Sequence, residues 1–362
     1  MILLGNRYRL IIWMLALWLL IPALLHAQVE QRYVRQVDTL ITSADIFEGD
    51  HPMKITLTLD IKRYQKEKFK GYYMPVHFTY EINDSVEVVK DMRMKARGNF
   101  RRSHCNMAPF WLNIKESNIQ NVQLQDVNRI KVVTNCNGSK AYDEYVLKEY
   151  LAYKLYEHIS PYHYKTRLVR LNLLEEKGRR TREHQLLGFF IEDNENLEER
   201  LGARKMEQEV HPLYQDALSS TQNNLFEYLI GNTDFSMRHM HNQTLFYVDE
   251  KYVCIPYDFD MSGLVNATYS SVSNIQHLKG SIEEVTERIY KGYKRDTIYL
   301  QQVRRQFRAL KPELTGELEL LRPLFGDPGH YREARYFIQV FFEEMESDAR
   351  FKRQILDRMR ED

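Results

Sequence analysis

The stretch LIGNTDFSMRHMHNQTLFYVDEKYVCIPYDFDMSG, residues 229–263, combines a turn, a predicted hairpin and two groups of acidic side chains. Asp234 follows a Gly-Asn-Thr run, which predicts a turn and not the middle of a helix. Asp258 and Asp260 flank Phe259 at the end of a run that is predicted to be a strand, with Phe259 pointing into the core. The hairpin would bring the two groups of acids together.

Oxygen ligands of this kind suit a hard divalent cation such as Mg²⁺. We predict that Asp258 and Asp260 bind the metal, with Asn242 as a neutral ligand. The alternative is that the aspartates cap turns by accepting backbone N–H bonds. His239 and His241 alternate, so on a strand they could bind a transition metal. The alternative for this histidine pair is a polar, half-exposed loop.

Upstream, Lys131 lies in the apolar run RIKVV, and Glu149 lies in the helix predicted to follow. A strand lysine paired with a helix glutamate resembles the arrangement by which protein kinases hold nucleotide phosphates. The alternatives are a solvent-facing lysine on an edge strand and an exposed helical acid. Lys115, in WLNIK, is a competing candidate for the lysine.

A basic loop, GNFRRSHCNMAP, is the candidate cover for the phosphates. Arg97, just before it, together with Arg101 and Arg102, could supply positive charge there; the alternative is a solvated basic loop. The chain has no G-x-G-x-x-G and no G-x-x-x-x-G-K-[ST] motif. It also lacks G-x-S-x-G and H-E-x-x-H, which disfavours the common serine-hydrolase and zincin classes.

The bulk properties bound the remaining possibilities. The chain has 362 residues, is 43% hydrophobic and carries a formal net charge of +1. Such a chain can build one large or two smaller cores, and it has no positive field that would attract nucleic acid. Alternating apolar residues predict strands between residues 30 and 135, a helix follows near residue 143, and residues beyond 263 are predicted to be mostly helical.

The N-terminus is predicted to be an export signal. Two arginines precede the apolar run LIIWMLALWLLIPALL, and LHAQ offers a cleavage site after Ala27. The alternative is an uncleaved membrane anchor. We therefore expect a periplasmic or secreted protein with no membrane span once the signal is removed. Export permits a disulfide, and we predict that Cys105 pairs with Cys136; the alternative is that the three cysteines are buried thiols.

Several blocks together resemble a known family. The ordered blocks are MKARGNFRR, PFWLNIK, RIKVV, YDEYVLKEYLAYKLY, TRLVRLNLL, GFFIED, LIGNTDFSMRHMHNQ and IPYDFDMSG. They resemble the spore-coat protein H (CotH) kinase-like family, in particular its exported bacterial envelope members. The resemblance implies an α+β, atypical protein-kinase-like bilobal fold, with a β-rich N-terminal part followed by a mainly helical C-terminal part. The expected divisions are a signal at 1–27, a β-rich extension at 28–88, an N-lobe-like region at 89–193 and a C-lobe-like region at 194–362.

The resemblance also implies an ATP-dependent protein kinase that uses Mg²⁺ or Mn²⁺. By position, Asp234 would orient the acceptor hydroxyl, Asp258 would bind metal, and Asn242 would be the second metal ligand. Asp260 stands where typical kinases have glycine. The implied partner is a protein substrate in the cell envelope of a Gram-negative type, with no nucleic acid.

By the same resemblance, Lys131 and Glu149 would form the ion pair that positions the nucleotide, with Arg97 nearby. Two other functions stay open. One is a non-catalytic envelope scaffold or binding protein. The other is a metal-dependent hydrolase that uses the histidines and the acids.

Overall fold

A computed structural model describes residues 46–49, 51–83, 86–114, 129–177, 180–273 and 282–361 of the chain. The predicted signal at 1–27 and the competing lysine, Lys115, lie outside these ranges. Within the described ranges, no helix is both long enough and apolar enough to cross a membrane.

Seven strands form a closed barrel in the order β1-β2-β3-β4-β5-β7-β6. The strand bounds are β1 Met53–Leu59, β2 Met74–Asn83, β3 Val86–Ala96, β4 Phe110–Ile114, β5 Arg129–Thr134, β6 Thr166–Lys177 and β7 Arg180–Ile191. Alternation along the strands fills the interior. In β1, Ile55, Leu57 and Leu59 are buried, whereas the threonines between them are partly exposed.

The predicted kinase-like bilobal fold is wrong, because the strands close into a barrel. β1 pairs antiparallel with β2 and parallel with β6, so no open edge remains between them. β1 lies within the predicted β-rich extension at 28–88, and its pairing with β6 closes the barrel. Closure removes the unpaired N–H and C=O groups that an open sheet would expose at its edge.

Two short helices interrupt the barrel strands, and a longer one covers the barrel wall. The short helices are α1 Ile61–Glu67 and α2 Phe100–His104, and the longer one is α3 Asp143–Ile159. The outward face of β7, with Leu187, Phe189 and Ile191, belongs to the same apolar cluster as the leucines of α3. This packing fixes α3, and with it Glu149, against the barrel.

The C-terminal part combines helices with a small sheet. The helices are α4 Asn194–Leu201, α5 Ala217–Ile230, α6 Thr297–Ala309, α7 Lys311–Leu321, α8 Pro328–Glu346 and α9 Asp348–Gln354. A three-stranded sheet has the order β10-β9-β8, with β8 Arg204–Lys205, β9 Gln243–Val248 and β10 Lys251–Pro256. The predicted hairpin is confirmed by the antiparallel pairing of β9 with β10. The prediction of mostly helical structure beyond residue 263 is wrong for residues 282–293, which are not helical.

The predicted disulfide is confirmed: Cys105 is bonded to Cys136, and Cys254 is a buried free thiol. Cys105 is the residue that ends α2, and Cys136 follows β5 closely. The disulfide therefore ties α2, which carries Arg101, to the barrel wall.

Candidate functional site

Arg101 stands at the centre of a buried ionic cluster. Its guanidinium donates to both carboxylate oxygens of Glu149, at 2.9 and 3.0 Å. It also contacts Asp258 Oδ1 at 2.8 Å and Asp260 Oδ2 at 3.1 Å. Only a planar guanidinium can serve three carboxylates in this way. Helix α2, helix α3 and the segment after β10 therefore meet at one side chain, and we call these four residues the Arg101 cluster.

The charges of the Arg101 cluster do not balance, because three carboxylates surround one guanidinium. Burial lowers the pKa of Arg101, but the charges of Asp260, Glu149 and Asp258 outweigh it and hold that pKa above its ordinary value. Burial raises the pKa of Glu149 despite Arg101, and it raises the pKa of Asp260 to about 8. The cluster therefore has an excess of negative charge, which favours a proton or an added cation.

Asp258 is the exposed member of the cluster. Its backbone has φ 64°, a conformation that non-glycine residues rarely adopt, and its N–H donates to the Tyr153 hydroxyl at 2.9 Å. Phe259 is fully buried, with its ring 4.6 Å from that of Tyr153, which confirms the prediction that it points into the core. Burial of Phe259 on one side leaves the Asp258 carboxylate facing outward, 38% exposed.

The turn that carries Asp234 is held from both sides. Helix α5 ends at Gly231, whose φ of 63° lets the chain leave the helix abruptly. Buried Lys291 then donates to the carbonyl of Thr233 at 2.9 Å and to that of Phe235 at 2.6 Å. Asp234 lies between these two carbonyls. The sequence prediction that it sits on a turn is confirmed, and Lys291 positions that turn.

The Asp234 carboxylate accepts hydrogen bonds from three side chains. Ser273 Oγ donates to Oδ1 at 2.9 Å, and Asn242 Nδ2 donates to Oδ2 at 3.1 Å. His241 Nε2 lies 3.4 Å from Oδ1. Burial raises the pKa of Asp234, but the bonds from His241, Ser273 and Asn242 outweigh it and leave the pKa below its ordinary value. Asp234 is therefore ionised at neutral pH and can accept a hydrogen bond from a hydroxyl group.

A cavity of about 320 Å³ lies between the barrel and the small sheet. Arg97 and Lys131, both predicted to contact a nucleotide, line it together with three aromatic rings: Trp111, Tyr164 and Tyr257. Arg97 and Lys131 lie over the Trp111 ring, 5.3 and 5.5 Å from its centroid. Burial, aided by the charge of Arg97, lowers the pKa of Lys131 to about 7. An anion in this cavity would restore the charge of Lys131.

The predicted ion pair between Lys131 and Glu149 is not formed. Lys131 Nζ donates to Asn194 Oδ1 at 3.0 Å and lies 3.7 Å from Asp193. Glu149 is occupied by Arg101 through both of its oxygens. One lysine was expected both to face the nucleotide and to pair with Glu149. In the structure Lys131 lines the cavity, and Arg101 pairs with Glu149.

The predicted metal ligands differ in how well they fit a divalent cation. Asp258 fits, because its contacts with Arg101 use Oδ1 and no described residue donates to its Oδ2. Asp260 is 5% exposed and is bonded to Arg101, so it is less accessible. Asn242 directs its amide nitrogen to Asp234, not towards the Arg101 cluster. Among the described residues, no group of three or more His, Cys, Asp or Glu side chains is arranged to hold a metal.

The two histidines of the loop separate. His241 contacts Asp234, whereas the ring of His239 lies 3.5 Å from Glu209 and is exposed. The residues lie on a turn closed by mutual backbone hydrogen bonds between Ser236 and His241, not on a strand. The polar-loop alternative therefore describes His239, and His241 belongs to the Asp234 site.

Some functional candidates were missed or misplaced by the sequence analysis. Arg101 was assigned to a loop that contacts phosphates, but it forms the centre of the acidic site. Lys291 lies in a segment predicted to be helical, and Ser273 lies after the last motif considered. A lysine and a serine have no distinguishing signal in sequence, because their roles depend on contacts across 56 and 39 residues of chain.

No protein-family model matches this chain, and no curated protein matches it. The resemblance to CotH-type proteins therefore rests on the motifs and stays a prediction.

Proposed function

We propose that this protein transfers a phosphoryl group from a metal-bound nucleoside triphosphate, ATP by the resemblance to CotH-type proteins, to a protein hydroxyl. The observation that carries the proposal is the junction between Tyr257 and Asp258. Tyr257 lines the cavity that contains Arg97 and Lys131. The next residue, Asp258, turns sharply and presents a partly exposed carboxylate. A phosphate-binding cavity would thus lie next to the candidate metal ligand.

The cavity suits a nucleotide in both charge and shape. Lys131 and Arg97 offer positive charge for phosphate oxygens, and the rings of Trp111, Tyr164 and Tyr257 offer apolar faces for a base. Lys205 also lines the cavity, but its charge is paired with that of Glu207, another lining residue. Sites that transfer phosphoryl groups depend mainly on positioning and on neutralising charge, so such a set of residues is sufficient.

Asp234 would act on the acceptor. Its carboxylate is ionised and already accepts a hydrogen bond from a hydroxyl, that of Ser273. In the reaction it would accept a hydrogen bond from the substrate hydroxyl and then receive its proton. Lys291, through the Thr233 and Phe235 carbonyls, keeps Asp234 in place.

A divalent cation, Mg²⁺ or Mn²⁺, would neutralise phosphate charge when bound, and Asp258 is the residue placed to hold it. Arg101 keeps Asp258 in position by its bond to Oδ1. The excess negative charge of the Arg101 cluster supports an added cation at this point. Asp260 would not contact the cation directly, since it is buried against Arg101, and it would help to hold that side chain in place.

We also propose that the protein acts outside the cytoplasm, on a protein of the cell envelope. The disulfide between Cys105 and Cys136 supports an oxidising compartment. The apolar N-terminal run supports export, as the sequence analysis set out.

A second candidate is a non-catalytic binding protein. It is favoured by one observation: Arg101 already occupies Glu149, Asp258 and Asp260, so the cluster could serve only to join the barrel to the helices. Under this alternative the site would bind neither metal nor nucleotide.

Thermal unfolding of the purified protein with ATP and Mn²⁺ separates the two candidates. Binding to the folded state alone, at 100 times the dissociation constant, adds about 2.7 kcal/mol of stability. We expect a metal-dependent rise in melting temperature that Asp258→Ala abolishes. Asp249→Ala, on the β-hairpin turn, is the matched control and keeps the rise. If neither ATP nor Mn²⁺ shifts the wild-type protein, the non-catalytic candidate is favoured.

A further inference from the structure

The segment after Asp260 returns to the Asp234 site. Ser270 Oγ donates to the backbone carbonyl of Asp260 at 3.1 Å, which begins the return. Three residues later, the backbone N–H of Ser273 lies 3.5 Å from Thr233 Oγ1, and its hydroxyl donates to Asp234 Oδ1 at 2.9 Å. The described part of this segment therefore ends against the residue that we propose orients the acceptor.

The Ser273 hydroxyl makes the contact that an acceptor hydroxyl must make. A general base has to lie within about 2.6–3.2 Å of the oxygen whose proton it takes, and Asp234 meets this condition for Ser273. Ser273 is 7% exposed, so no substrate hydroxyl can share its place while it remains there. His241 contacts the same carboxylate oxygen, and Asn242 donates to the other oxygen of Asp234.

We propose that Ser273 is a phosphorylation site of this protein, modified within its own chain by the Asp234 site. The inference rests on the phosphoryl transfer proposed above. In the step, Asp234 takes the proton of the Ser273 hydroxyl while Ser273 Oγ forms a bond to the γ-phosphorus of the nucleoside triphosphate. The bond between that phosphorus and the β–γ bridging oxygen breaks, and the nucleoside diphosphate leaves with the electron pair.

The modification changes the occupant of the acceptor position. Unmodified Ser273 donates a hydrogen bond to Asp234, whereas phosphoserine has no hydroxyl proton and carries about −1.5 to −2 charges at neutral pH. Once Asp234 has released the proton to solvent, its carboxylate and the phosphate repel each other, so phosphorylated Ser273 leaves Asp234. The acceptor position then opens to a hydroxyl from another protein.

The test is mass spectrometry of the purified protein after incubation with ATP and Mn²⁺, with peptides mapped residue by residue. We expect one phosphate on Ser273 in the wild-type protein and in the control Ser271→Ala, whose exposed serine lies on the same segment. We expect none at this position in Ser273→Ala or Asp234→Asn. The rate per molecule should not change when the protein is diluted, because the step occurs within one chain.

A conservative variant separates the modification from a structural role. Ser273→Thr keeps a hydroxyl and is expected to be phosphorylated. The wild-type protein must first phosphorylate Ser273, so we expect a lag before it phosphorylates an added protein, and we expect no lag in Ser273→Ala. Melting temperatures of both variants show whether they fold.

Three outcomes would overturn the inference. Phosphate on other residues or on an added protein, with Ser273 unmodified, overturns it and leaves the proposed function standing. A rate that falls on dilution overturns the modification within one chain. ATP binding without transfer to any residue contradicts the phosphoryl transfer itself, and the inference with it.

Discussion

Arg101 donates hydrogen bonds to both carboxylate oxygens of Glu149, at 2.9 and 3.0 Å, and both side chains are almost completely buried. This pair links a five-residue helix to the helix that covers the barrel. Because the same guanidinium holds Asp258 and Asp260, the stability of the fold and the position of the candidate metal ligand depend on one residue.

The first prediction concerns Arg101. Arg101→Met leaves two buried carboxylates, Glu149 and Asp260, and the partly exposed Asp258 without their cation. Loss of the partner of a buried charge destabilises a protein by about 3–5 kcal/mol. Arg101→Lys keeps the charge but cannot make the forked contact, so we expect an intermediate loss. Chemical denaturation measures both. Arg102→Lys, the next residue on the same helix, is the control. Wild-type stability in Arg101→Lys would contradict the central role of the guanidinium.

The second prediction concerns protonation at the Asp234 site. The pKa of His241 is raised by its hydrogen bond to Asp234. The pKa of Asp234 is lowered by the hydrogen bonds that its carboxylate accepts, which outweigh the effect of burial. The His241 contribution to stability is therefore fully present below the pKa of an unfolded-chain histidine, and it is lost as pH rises through the folded pKa. The Asp234 contribution is present above the unfolded pKa of the carboxyl and is lost as pH falls through its folded pKa.

NMR titration of the histidine ring protons measures this contact. In Asp234→Asn we expect the pKa of His241 to fall back towards its ordinary value, because the carboxylate charge is lost. The signal that disappears in His241→Gln identifies the His241 ring among the twelve histidines of the chain. An unchanged titration of His241 in Asp234→Asn would show that the contact does not exist in solution. If Asp234 orients the acceptor, the same variant keeps nucleotide binding and loses transfer.

The third prediction concerns Lys291. Lys291→Met removes the donor to two carbonyls that flank Asp234, and unpaired buried groups cost about 1–3 kcal/mol. We expect faster amide hydrogen exchange in the turn that carries Asp234, together with a shifted His241 titration. Lys294→Met, an exposed lysine paired with Glu361, is the matched control. Equal exchange in both variants would mean that Lys291 does not hold the turn.

The fourth prediction concerns Lys148, next to Glu149 on α3. Lys148 is fully buried, its ammonium has no hydrogen-bond partner among the described residues, and Glu333 lies 4.0 Å away. Burial lowers its pKa to about 8. Replacing the ammonium by an apolar group removes the cost of burying a charge, and Glu333 is 60% exposed and stays hydrated. We therefore expect Lys148→Met to raise the melting temperature.

The sign of the pH dependence follows from the lowered pKa. Between pH 8 and 10.5 the unfolded chain holds the Lys148 proton more often than the folded chain does, so stability rises with pH there. The advantage of Lys148→Met should be largest below pH 8 and shrink towards pH 10. Lys154→Met, on the same helix and paired with Glu157, should show no such trend. A constant advantage at every pH would point to packing instead of charge.

The fifth prediction concerns the disulfide. Removing a native disulfide typically costs about 2–4 kcal/mol, and here Cys105 ends the helix that carries Arg101. The double variant Cys105→Ser with Cys136→Ser should lose stability and also lose part of the Mn²⁺- and ATP-dependent shift. Cys254→Ser is the control for loss of a thiol. Full retention of the shift would show that Arg101 is held without the disulfide.

The sequence by itself determined the local features of this protein. Alternation placed the strand residues, the leucines of α3 marked its buried face, and the hairpin, the Asp234 turn and the burial of Phe259 all followed from short patterns. The sequence also identified Asp234, Asp258 and Asp260 as candidate site residues, and the structure places them in the Asp234 site and the Arg101 cluster. Such features depend on residues close in the chain, where periodicity and turn chemistry act directly.

Only the tertiary structure decided which strands meet and which charges pair. The parallel pairing of β1 with β6 closes the barrel across more than 100 residues of chain, and no local pattern encodes that closure. Arg101 takes Glu149 in place of Lys131 because α2 and α3 are brought together by the disulfide and the barrel wall. A buried charge takes the partner that packing places beside it, and packing is a property of the whole chain.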